Sequence, residues 1–141
     1  MIRVESTTWL NENPGMSNES NEKSGLPEGV RLCAIIMFLA VAAGAIGAHF
    51  LPEGVNKTTW KTGVTYQLIH GLALFALAMT GNWSRKLTRI FWIAGIVCFS
   101  GSLYWLAFPE HPKFLGPITP LGGLFFLTGW ATLIFAKAEK D

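Results

Sequence analysis

The sequence predicts an all-α integral membrane protein, built as an antiparallel bundle of four transmembrane helices. Three observations carry that prediction. Half of the 141 residues are hydrophobic and only 14% are charged, against roughly 25% in an average soluble domain. The apolar residues gather in charge-free windows at 32–51, 62–84, 90–109 and 114–136. At about 1.5 Å per residue, each window is long enough to cross a hydrocarbon core of roughly 30 Å. Helices of a soluble bundle would each show a charged face, and these windows show none. The connections at 52–61, 85–89 and 110–113 are short, so successive helices run antiparallel.

Residues 1–31 are polar and hold five acids, Glu5, Glu12, Glu19, Glu22 and Glu28. They carry too little apolar surface to offset the entropy of ordering, which predicts a disordered cytoplasmic tail. Met16 is an alternative start to Met1. Window one, 32–51, is preceded by Arg31 and contains Ala43-Gly44-Ala45, features that imitate a cleavable leader. Its apolar run continues to Leu51 behind an oversized polar region, so it reads as a span. Ala40, Gly44 and Ala48, with Ala43 and Gly47, form a ladder of small residues that lets a neighbouring backbone approach. Cys33 and Cys98 fall at different depths, in windows one and three, and read as buried thiols rather than a disulfide.

A net charge of +2 gives no case for nucleic acid. The basic residues instead orient the chain. Lys23, Arg31, Arg85, Lys86, Arg89, Lys137 and Lys140 lie on the tail side, and Lys57, Lys61 and Lys113 lie opposite. The bias predicts a multi-pass membrane protein with both termini, including 137–141, in the cytoplasm. Window four, 114–136, opens irregularly. Thr119 is expected as an N-cap and Pro120 as the first helical residue. The regular helix then runs from Pro120 to Ala136, and residues 114–119 are irregular.

This topology brings polar residues from all four helices to one outer level: His49, Tyr66, Gln67, His70, Ser100, Ser102, Tyr104 and Thr119. Tyr66, Gln67 and His70 are three and four residues apart, so all three are expected on one inward face. In lipid their polar atoms would go unsatisfied, at several kcal/mol each. Two readings of this layer compete. It is interhelical glue, or it is a ligand or proton site. The helix N-terminus at Thr119-Pro120, with Gly122 and Gly123 permitting close approach, offers donors that suit a small anion or a lipid headgroup. A metal or haem lacks support: His49 and His70 differ in depth by roughly 9 Å, and no ligand cluster is spaced for a metal. His111 reads as a solvated loop residue. No span holds Asp or Glu, which argues against a carboxylate-based cation-coupled transporter. No nucleophile, base and orienting group are arrayed for an enzyme.

The segments "GAIGAH" (44–49), "TGVTYQLIHGLAL" (62–74), "SGSLYWLA" (100–107) and "GPITPLGGLFFLTGW" (116–130) occur in order. They resemble the successive signatures of the membrane family known as domain of unknown function 423, which includes YgdD-like inner-membrane proteins and relatives of transmembrane protein 256. The resemblance covers about residues 32–136. It implies about four membrane helices and brings no activity, substrate or catalytic residue. The expected function is that of a non-enzymatic membrane protein, without cofactor, whose polar layer organises the bundle or recognises a partner. That partner is the lipid bilayer, a second copy of the chain or another membrane protein. The alternative is a small transporter or channel using the layer. An enzyme or redox protein acting on a lipid-soluble substrate is the third reading.

Overall fold

The structure, a computed structural model, describes residues 26–27, 29–82 and 85–136. Most of the expected tail, and residues 137–141, lie outside the described residues. Four long helices follow one another: α1 (Val30–His49), α2 (Lys57–Met79), α3 (Lys86–Leu106) and α4 (Ile118–Ile134). All four are long and apolar enough to span a membrane, the fourth together with the 3₁₀ turn Lys113–Leu115 that precedes it. The end of the bundle where α1 begins and α4 stops is here called proximal, and the other end distal.

The helices depart from the charge-free windows at their ends, for reasons of capping. Helix α2 begins at Lys57 because the Asn56 side chain accepts from the Thr59 amide at 3.0 Å, as a helix N-cap does. Lys57 and Lys61 therefore lie within the helix, where long side chains can run along apolar surface toward water. The Asn56 amide also donates to the Ala107 carbonyl at 2.8 Å, tying the start of α2 to the end of α3. Helix α2 stops at Thr80, followed by Gly81 at φ 72°, a left-handed position that glycine takes without strain. Within α3, Ile96–Ser100 is π-helical between α-helical segments.

Helix α4 corrects the expected start. It begins at Ile118, with Pro117 at the N-cap position and no side-chain cap, and runs for 17 residues to Ile134. Thr119 lies inside the first turn. Proline at 117 already holds a helical φ of −67°, so the chain turns into the helix before Thr119 is reached.

Helix α1 packs along α2, α2 packs on α3, and α3 packs closely on α4. The core joins Cys33 and Ile36 of α1, Leu74 and Ala78 of α2, Trp92 of α3 and Phe126 of α4. Large apolar side chains such as Phe38, Leu72, Val97 and Leu127 point outward on every helix. In water such a surface would drive association. In a bilayer it is the lipid-facing belt.

Candidate functional site

The inward polar residues form three short relays. In the first, the Tyr104 hydroxyl donates to Gln67 Oε1 at 2.7 Å, and Gln67 Nε2 donates to the Ile36 carbonyl at 3.0 Å. One buried amide thus ties α3 through α2 to α1. The Tyr104 ring packs on Trp60, centroids 4.8 Å apart, and the Trp60 indole N–H donates to the Ala43 carbonyl at 2.8 Å. The small residues of α1 serve this contact: a Cβ on Gly47 would stand 2.7 Å from the Trp60 ring.

In the second relay, Ser102 donates to the Phe99 carbonyl at 2.9 Å and meets Thr119 Oγ1 at 2.7 Å. A hydroxyl has one proton, so Thr119 is the donor in the second bond. This links α4 to α3 just beyond the π-helical segment. A Cβ on Gly122 would lie 2.7 Å from Phe99 Cα, and one on Gly123 would lie 3.8 Å from the Phe99 ring. The close approach that Gly122 permits is therefore that of the α3 backbone.

The third relay centres on His70, which is 4% exposed. Its Nδ1 is 2.9 Å from the Tyr66 carbonyl, and its Nε2 is 3.1 Å from the Trp130 indole nitrogen. Indole N–H only donates, so Nε2 accepts and the ring proton sits on Nδ1. The imidazole lies flat on Phe126, centroids 3.5 Å apart and planes 11° apart. Trp92 meets the same ring edge-on, and Trp92 and Trp130 are 4.7 Å apart. Every polar atom of the imidazole is occupied.

These relays do not share one level. His70 lies past Leu68, the middle residue of α2, on the proximal side of the Gln67, Ser102, Tyr104 and Thr119 group. Three predicted residues stay outside the relays: Ser100, buried with its hydroxyl unpartnered among the described residues, His49 and Tyr66. His49 ends α1 exposed, edge-on to Phe50 at 6.3 Å. Tyr66 is 40% exposed, its ring resting on Phe99 at 4.6 Å, and its hydroxyl has no partner among the described residues. Tyr66 and His70 share a face, their rings stacked 6.2 Å apart, but Tyr66 sits at its edge while Gln67 and His70 are buried. Adjacent helical residues point about 100° apart, and here Gln67 turns toward α1 while the Tyr66 ring turns toward Phe99 and Phe126. His111 is exposed and bonds the Phe108 carbonyl at 2.8 Å.

The aromatic partners Trp60, Trp92, Phe126 and Trp130 escaped the sequence reading, as did the Thr88–Thr132 hydroxyl pair at 2.6 Å. One signal was present. Gly122, Phe126 and Gly129 are spaced four and three apart, and all three are buried on one face of α4. A Cβ on Gly129 would lie 2.6 Å from the Trp92 indole nitrogen, so the glycine marks the tryptophan's seat. Two buried polar atoms have no partner among the described residues, Trp92 Nε1 and Ser100 Oγ. Among the described residues no group of three His, Cys, Asp or Glu gathers as a metal site would.

The family model described as "protein of unknown function (DUF423)" matches residues 43–123. A UPF0382 membrane protein of Staphylococcus epidermidis is 40% identical over 114 residues, 77% of this chain and 93% of the relative. The UPF0382 membrane protein YwdK of Bacillus subtilis is 41% identical over 116 residues, 77% of this chain and 94% of the relative. The UPF0382 inner membrane protein YgdD of Escherichia coli is 40% identical over 110 residues, 72% and 82% of the two chains. No solved structure matches.

Proposed function

The chain belongs to the DUF423 family of multi-pass membrane proteins, and on that premise we propose that it is a non-enzymatic protein whose polar layer locks its helices while its lateral surfaces meet a partner. One observation carries the reading. Gln67 and His70 direct their side-chain polar atoms to groups on other helices or to backbone: Tyr104 and Ile36 for Gln67, Trp130 and Tyr66 for His70. A small transporter or channel, the competing reading, needs such atoms for its cargo. Interhelical hydrogen bonds of this kind are ordinary packing devices in membranes. A rigid scaffold in the bilayer acts through what binds its flanks, whether lipid, a second copy or another membrane protein. We place it in the inner membrane with both termini cytoplasmic. The proximal basic residues support this orientation, and the E. coli relative named an inner membrane protein supports the location.

The test is flux. Proteoliposomes of the purified full chain, loaded with a pH-sensitive or a chloride-sensitive dye, should leak at the rate of protein-free vesicles. A protein-dependent flux abolished by His70→Leu would replace this reading with the transporter.

A further inference from the structure

At the proximal end, α2, α3 and α4 enclose a groove of about 470 Å³. Its apolar lining includes Leu133 and Trp130, which is 41% exposed, with Leu77 and Trp92 buried at its floor. Its polar lining, Thr80, Asn82 and Arg85, sits where α2 ends and α3 begins. These polar residues are built into a relay. Asn82 Nδ2 donates to the Thr80 hydroxyl at 3.2 Å, and Arg85 Nε donates to Asn82 Oδ1 at 3.2 Å. The half-buried guanidinium is thereby fixed through one nitrogen. Its two terminal nitrogens have no partner among the described residues, and their geometry suits the paired oxygens of a phosphate. Lys86 adds a second positive charge beside it. The described acids, Glu53 and Glu110, both sit at the distal end, so nothing described offsets this charge locally.

We infer that this groove binds an anionic phospholipid, its headgroup phosphate on Arg85 and an acyl chain laid along Leu77 and Leu133 toward the two tryptophans. The volume falls within the range of ligand clefts. Polar and apolar parts lie in the order a lipid presents at a membrane face, and basic pockets between spans on the cytoplasmic side are suited to anionic headgroups. The inference rests on the proposed partner-binding scaffold and its orientation, and it names the partner. It can fail while the locked layer stands, since lipid selectivity reads the groove and flux reads the layer.

Native mass spectrometry of the full chain in non-ionic detergent tests it, with equal amounts of phosphatidylglycerol and phosphatidylcholine of identical chains. One phosphatidylglycerol should be retained per chain, with a preference of about fivefold, as one basic side chain near the surface provides. Arg85→Gln should reduce that preference to about one. Ala76→Phe, which fills the groove without changing charge, should lower retention of both lipids. Lys113→Gln, at the distal end, should leave the preference intact. Circular dichroism of each variant checks folding, and if Arg85→Gln does not fold, the Ala76→Phe result decides. Equal retention of the two lipids by the wild type, or a preference surviving in both groove variants, overturns the inference. Displacement of phosphatidylglycerol by excess inorganic phosphate would assign the site to a free anion instead and also overturn it.

Discussion

Trp130 fixes the chemical state of His70, because an indole N–H facing Nε2 requires a lone pair there. A proton added at Nε2 would set two donors against each other and break the link to α4. His70 therefore acts as a neutral bridge between the α2 backbone and α4. Replacing it removes both the hydrogen bond and the stack on Phe126. His70→Asn keeps a hydrogen-bonding side chain, so stability in detergent should fall in the order wild type, His70→Asn, His70→Leu. Trp130→Phe removes the donor alone and should cost about 1 kcal/mol, in line with hydrogen bonds between membrane helices. A double-mutant cycle of His70→Leu and Trp130→Phe should show coupling of similar size. Additive losses, or a His70→Leu chain as stable as the wild type, would mean that the bridge contributes nothing.

At the scale of the element, the π-helical segment of α3 and the glycines of α4 set the closest packing. Gly122 faces the Phe99 backbone, which cannot rotate away as a side chain can. Gly122→Ala should therefore destabilise the protein by about 1–3 kcal/mol, as overpacking does. Gly123→Ala meets only the Phe99 ring at ordinary contact distance and should be close to neutral. Thermal melts of the two variants, compared in one detergent, check the contrast. This element also marks the limit of what the sequence makes legible. Runs without charge were enough to find four spans, because lipid forbids charge along most of a helix. The start of α2 was hidden because Lys57 and Lys61 are charged yet helical. The π-helical turn left no mark in composition, since the residues from Ile96 to Ser100 suit either winding. Gln67, Ser102 and Tyr104 stood out as polar atoms in an apolar setting, and the structure joins Gln67 to Tyr104 and Ser102 to Thr119. Their aromatic neighbours did not stand out, because tryptophan and phenylalanine are at home in any membrane span. The exposure of Tyr66 did not stand out for a geometric reason: spacing alone does not say which edge of a helix face is buried.

The whole molecule is a set of helices around a small apolar core, with most of the inward polar groups bonded to one another and a belt of large apolar side chains facing outward. Its proposed orientation follows from where the lysines and arginines lie. Reporter fusions after Asp141 and within 85–89 should read cytoplasmic, and fusions within 52–56 should read external. A C-terminal reporter found outside would reverse the orientation and move the groove to the other leaflet. The central claim, however, is that the polar layer is sealed from water by its hydrogen bonds together with close helix packing. Ser100 and Ser102 sit in that layer, 0% and 4% exposed, and cysteine is nearly isosteric with serine. In a chain carrying Cys33→Ala and Cys98→Ala, Ser100→Cys and Ser102→Cys can be challenged with a membrane-impermeant maleimide from either side of sealed vesicles. His111→Cys, in the exposed distal loop, serves as the accessible control. The account predicts that His111→Cys is labelled while the other two react only after denaturation. Labelling of Ser100→Cys or Ser102→Cys in the folded protein would show water in the layer and contradict it.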